Sequence, residues 1–224
     1  MDQIEFSTDN FADNPEPRVP CVLLLDVSTS MTGEPIRLLQ EGLATYHREL
    51  LADSLASKRV EVAVVTFGAS VEVAHPFSTA EGFTPPVLSV SGMTPMGEAM
   101  NLAIDLIENR KNEYRSNGIA YYRPWIFLIS DGGPNDAGWE VAAANAIEKE
   151  EQKHFKTFCV GVEGADLDAL SKFSIAQPLK LKGLSFRELF LWLSSSQKSV
   201  SRSSPGDDVP LTDPTGPEGW GSIG

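Results

Sequence analysis

At 224 residues with 42% hydrophobic side chains, the chain is long enough for one sizeable core and short for two domains. Its 31 acids against 18 bases leave a net charge of −13, which argues against nucleic acid or an anionic membrane as the main partner. No apolar stretch approaches the roughly 20 residues of a membrane span, and Met1 to Val19 lacks a basic start followed by an apolar block, so the expected location is the cytoplasm.

Residues 1–18 carry five acids, one base and prolines at 15 and 17, and read as a loose acidic lead-in with room for one short edge element. Then comes Cys21 to Ser30, CVLLLDVSTS. Val22 to Leu25 are apolar without alternation, as in a parallel strand covered on both faces. Asp26, Ser28 and Ser30 follow at its carboxyl end, where open α/β sheets bind ligands, and their alternate spacing lets the side-chain oxygens converge. Glu34-Pro35 then opens a helix expected to run to about Ser57, with Leu39, Leu43, Tyr46 and Leu50 on one stripe. Arg59 to Phe67 and Ser70 to Phe77 are strands joined by Gly68-Ala69, a link so short that they must pair antiparallel.

Ser78 to Val90 is irregular, with Pro85-Pro86 blocking regular structure. Ser91 to Met100, SGMTPMGEAM, is a loop that presents Thr94 just before a helix expected over about 97–115. Pro124 to Ser130 repeats the design of the first strand, an apolar run that ends in Asp131-Gly132-Gly133. A helix over 137–152, a strand over 156–162, a short helix over 166–173, a short strand near 179–181 and a closing helix over 185–196 complete the pattern. The expected fold is α/β, a doubly wound and mostly parallel sheet with one antiparallel edge strand and helices on both faces. The domain spans 19–194. Residues 195–224, dominated by Ser, Pro, Gly and Asp, read as a flexible tail.

Three loops from separate strands thus bring Asp26, Ser28, Ser30, Thr94 and Asp131 to one end of the sheet. Taken singly, Asp-x-Ser-x-Ser suits an N-capping turn, Thr94 suits loop filler and Asp131-Gly132 is a common turn dipeptide. Their conjunction points to a cation. Two carboxylates and three hydroxyls, with no nitrogen or sulfur donor, suit Mg²⁺ or Mn²⁺ rather than Zn²⁺. Some of the set, the aspartates first, would hold the ion through water. Cys21 and Cys159 fall in central strands and read as buried small hydrophobes. None of His47, His75 and His154 is placed to serve the cluster as a base.

The Asp26 to Ser30 motif, the M-T-G-E-P-I that follows it, Thr94 in SGMTPMG and Ser-Asp-Gly at 130–132 together resemble the von Willebrand factor A domain family. The resemblance covers roughly residues 19–194. It implies a metal-ion-dependent adhesion site at those five residues, a non-catalytic role, and a protein partner whose acidic residue fills the open position on the ion. More narrowly, the SGMTPMGEAM loop is similar to that of bacterial tellurium-resistance-associated members, and this implies work beside a protein phosphatase and a protein kinase. A second reading of the residues is Mg²⁺-dependent phosphoryl transfer with Asp26 as nucleophile. Against it stand Ser28, where such enzymes usually carry a second acid, and the lack of a glycine-rich phosphate loop ending in Lys-Ser/Thr. Trp139 and Trp220 are candidate contact residues, and Ser199, Ser201, Ser203, Ser204 and Thr212 make the tail a candidate kinase target or internal acidic ligand.

Overall fold

All eight residues of strand β1 (Val19–Asp26) are buried, and their side chains divide between two cores in strict alternation. Val19, Cys21, Leu23 and Leu25 face one core, while Val22 and Leu24 face the other. That double burial explains why the run shows no polar alternation. The computed structural model describes residue 11, residues 13–217 and residues 219–223. Most of the expected lead-in, residues 1–10 and 12, lies outside them.

After β1 the described chain runs through α1 (Glu34–Leu51), α2 (Ala56–Arg59), β2 (Val60–Phe67), β3 (Val71–Thr79), α3 (Met96–Ser116), β4 (Trp125–Ser130), α4 (Trp139–Glu151), β5 (Lys156–Gly161), α5 (Leu167–Leu170), β6 (Leu179–Leu181), α6 (Phe186–Ser201) and β7 (Gly221–Ile223). These strands form a single sheet in the order β3-β2-β1-β4-β5-β6-β7. β2, β1, β4, β5 and β6 are parallel, and β3 is the expected antiparallel edge. Helices α1 and α6 cover one face, while α3 and α4 cover the other. The strand order reverses direction at β1 and β4, so the carboxyl ends of these two strands flank the switch point of the sheet.

Three expectations change. The first helix stops at Leu51, because the Asp53 carboxylate accepts from the backbone N–H of Leu55 and Ala56 and starts the separate turn α2. The closing helix does not stop at Ser196 but continues to Ser201. Gln197 and Ser201 there are buried and bonded: Gln197 accepts from the Tyr46 hydroxyl at 2.6 Å, and Arg59 donates to the Ser201 carbonyl at 2.6 Å. The segment expected as a flexible tail is likewise held. Trp220 is 4% exposed, packs 5.7 Å from Trp192, and leads into β7, which pairs antiparallel with β6 and gives the sheet a second antiparallel edge. Low apolar content hid this, because a few anchors such as Trp220 and Val209 suffice when the backbone itself supplies the bonds.

Cys21 and Cys159 are both free and buried in β1 and β5, as expected. Burial pushes the Cys21 thiol up to about 12, against the opposing hydrogen bonds of Gln197 and Tyr46, and burial likewise raises Cys159. The thiolate is the reactive form. A thiol reagent at pH 8 is therefore expected to titrate neither cysteine in the native protein and both after denaturation. Rapid reaction of either thiol in the native state would contradict this packing.

Candidate metal centre

Asp26 is the last residue of β1 and is fully buried. Its Oδ1 accepts from the Ser28 backbone N–H at 2.8 Å, and its Oδ2 accepts from the Ser130 hydroxyl at the end of β4. Asp26 therefore joins the two strand ends across the switch point. Burial pushes its carboxyl up, the Asp131 charge adds to that, and the bonds from Ser130 and Ser28 oppose it.

From Ser28 the chain enters a single 3-10 turn (Thr29–Met31) that lifts Ser30 to the surface. The Ser28 and Ser30 hydroxyls lie 3.0 Å apart, and Ser30 donates to Asp131 Oδ1 at 2.7 Å. A line of side-chain oxygens thus crosses the crevice from the first loop to the third. Thr94 reaches the same crevice from the second loop, with its Oγ1 3.7 Å from where a Cβ on Gly132 would stand. The structure brings together all five residues expected there: Asp26, Ser28, Ser30, Thr94 and Asp131.

The loops are tied to one another as well as to their strands. The Thr29 N–H and hydroxyl both donate to the Gly92 carbonyl, at 3.1 and 2.9 Å, and Ser91 N–H donates to Val27 O at 2.8 Å. Gly92 sits at φ +72°, and a Cβ there would stand 2.3 Å from the Ala69 backbone. Only glycine meets both demands. Gly92→Ala is accordingly expected to cost about 1–3 kcal/mol and to weaken any function of the crevice, read from denaturant midpoint and ligand affinity together. An unchanged midpoint would refute this account of the loop.

Some contributors escaped the sequence reading. Ser130 holds Asp26 in place, yet the Ser-Asp-Gly motif drew notice for its aspartate. Asn135 accepts from Thr94 N–H at 3.1 Å and its own N–H donates to Thr94 O at 3.2 Å, which clamps that residue. Asp136 accepts from Gly97 and Glu98 N–H at 3.1 and 2.9 Å, capping α3 from a distant loop. Short polar side chains in G-G-P-N-D were a loop signal, but nothing local named their targets. Trp139 is half-buried and stacks on Phe173 5.9 Å away, whereas Trp220 is buried and is not a free contact residue. His47 bonds the Ala80 carbonyl and His154 bonds Glu108, away from the cluster.

The donor set fits a small hard cation. Among the described residues no group of three or more His, Cys, Asp and Glu comes together, so a metal at this crevice would have to use hydroxyls beside its two carboxylates. Cis ligands of an octahedral ion with bonds of 2.0–2.1 Å stand about 3 Å apart. The Ser28–Ser30 separation is 3.0 Å and the Ser30–Asp131 separation 2.7 Å. No ion pair among the described residues offsets the charge of Asp26 or Asp131.

An open, doubly wound and mostly parallel sheet with helices on both faces defines a Rossmann-like α/β fold. The profile of the von Willebrand factor type A domain matches residues 21–182, and the chain belongs to that family. Solved structures agree on the fold. A von Willebrand factor type A protein from Catenulispora acidiphila is 17% identical with a TM-score of 0.61, covering 82% of this chain and 43% of that one. Proximal thread matrix protein 1 from the mussel byssus is 17% identical with a TM-score of 0.56, covering 81% and 48%. The domain of the type V pili tip protein Mfa5 from Porphyromonas gingivalis is 10% identical with a TM-score of 0.60, covering 87% and 99%. The chain spans about half the length of the first two. No curated protein sequence matches it. No helix among the described residues is long and apolar enough to cross a membrane.

Proposed function

We propose that this domain is a metal-dependent protein-binding module, with Mg²⁺ or Mn²⁺ held by Asp26, Ser28, Ser30, Thr94 and Asp131. The observation that carries the reading is the line of oxygens from Ser28 through Ser30 to Asp131, drawn from separate strand ends and without a side-chain cation. Ser28, Ser30 and Thr94 supply hydroxyl donors. Asp26 fixes the Ser28 backbone, and Asp131 orients the Ser30 hydroxyl. When bound, the ion reverses the local sign, so that an acidic protein can hold a partner's carboxylate at that one place.

The phosphoryl-transfer alternative fares worse. A nucleophilic carboxylate must present a lone pair to its substrate, whereas Asp26 is fully buried and both its oxygens already accept hydrogen bonds. The narrower likeness, to tellurium-resistance-associated members, rests on the Ser91 to Met100 loop. It makes a cytoplasmic protein phosphatase and a protein kinase the first partners to try. The deciding experiment is calorimetric titration of Mg²⁺ and Mn²⁺ into metal-stripped protein, alone and with those purified partner domains or with carboxylate peptides. Binding that Ser30→Ala abolishes supports the module. Partner binding that needs no metal and survives the substitution, or no metal binding under any of these conditions, disproves it.

A further inference from the structure

Beside the oxygen cluster lies a cavity of about 330 Å³, and the two share a wall. Val27, which lies between Asp26 and Ser28, and Ser91, whose N–H bonds the Val27 carbonyl, both line it. Ala69, Val87 and Leu88 add apolar patches to a lining that also carries the hydroxyls of Thr66, Ser70 and Ser89, and Glu72 of β3 contributes its one carboxylate. The far wall is fixed, because Gln40 of α1 bonds both the Pro86 carbonyl at 3.0 Å and the Leu88 N–H at 2.8 Å. Glu72 accepts from the Ser70 hydroxyl and is exposed, and no ion pair satisfies it among the described residues. Its surroundings do not supply a base either. No lysine, arginine or histidine is among the residues that line the cavity.

We propose that this cavity takes a lysine or arginine side chain from the same partner segment whose carboxylate reaches the oxygen cluster. The inference rests on the metal-dependent reading and adds the partner's second recognition element. A mixed lining with apolar patches, hydroxyls and one carboxylate matches a cationic head on an aliphatic stem, which pairs its charge with Glu72 and lays its methylenes on Ala69, Val87 and Leu88. An apolar or acidic side chain gains nothing from Glu72, and a neutral donor gains only a hydrogen bond without the charge pairing. The Glu72 carboxylate then disfavours a partner that offers a second acid there, which is specificity by repulsion as well as attraction.

The probes are short Gly/Ser peptides with one aspartate and a lysine one, two or three positions away, beside matched peptides with norleucine for lysine. They are titrated into the full chain with Mn²⁺ or Mg²⁺, with binding followed by backbone amide NMR in the Mg²⁺ arm. The best lysine peptide is expected to bind roughly three- to tenfold more tightly than its norleucine match and to shift the amides of Ala69, Glu72 and Val87. Glu72→Gln, a surface change that should leave the fold intact, is expected to remove the difference, and Glu72→Lys to invert it. Equal metal-dependent binding of lysine and norleucine peptides overturns this inference and leaves the module standing. Absence of metal-dependent binding by every aspartate peptide overturns both.

Discussion

Replacing Glu61 with alanine is expected to lower the melting temperature by about 6–20 °C while leaving the affinity of the crevice for metal unchanged. Glu61 is fully buried at the amino end of β2, opposite to the crevice. Arg18 donates to its Oε1 at 2.8 Å, Arg110 to its Oε2 at 2.8 Å, and the Tyr114 hydroxyl to the same Oε2. Both arginines are themselves buried, at 2% and 7% exposure. Burial opposes the charge on Arg110, and the Glu61 carboxylate more than restores it. Alanine would take the buried carboxylate from both cations, leaving Arg110 with Glu113 and Arg18 with the Glu16 and Asn14 carbonyls, and breaking a buried pair from one side costs about 3–5 kcal/mol. For a chain of this size that corresponds to about 6–20 °C. Glu61→Ala and Arg110→Met should also be strongly non-additive, because each removes the same buried Glu61–Arg110 pair. Additive losses would mean that the two groups act independently, and the network would not be the unit described.

That network shows what the sequence made legible and what it did not. The strand β2 was evident from RVEVAVVTF, and a lone acid in so apolar a run is an anomaly on its face. Its partners were not evident. Arg18 precedes β1 and Arg110 lies late in α3, more than 40 residues away on either side, and only the completed sheet brings them together. The crevice was more readable because its chemistry follows topology: a buried parallel strand delivers its loop to a known end of the sheet, whatever the loop contains. Asp26, Ser28, Ser30 and Asp131 could therefore be grouped from strand ends alone, whereas Thr94 follows the antiparallel β3 by a long loop and is placed by the start of α3. Ser130, Asn135 and Asp136 could not, since their bonds run sideways between loops. The segment after Ser194 misled for a third reason. Composition reports how much apolar area a stretch can bury, but Trp220 alone can pin a segment whose carbonyls also bond Lys182.

Changing Asp26 to asparagine is expected to weaken Mg²⁺ or Mn²⁺ binding by about 10–100-fold without lowering the stability of the metal-free protein. The side chain is isosteric, and its carbonyl oxygen can keep the Ser28 N–H bond while its amide donates to a rotated Ser130 hydroxyl. What is lost is a buried negative charge. In the metal-free protein that charge is desolvated and faces Asp131, so its removal is neutral or stabilising. In the metal-bound protein it is one of two carboxylates that balance a divalent ion. Metal at about 100 times its dissociation constant stabilises the wild type by about 2.7 kcal/mol. The same concentration would give the variant only about 0.4–1.4 kcal/mol after a 10–100-fold loss. Melting curves with and without metal, run on both proteins, separate the two effects. A shift of equal size in both would place the ion elsewhere on this acidic chain, and the bonds from Ser28 to Asp131 would then serve only to lock three loops together at the switch point.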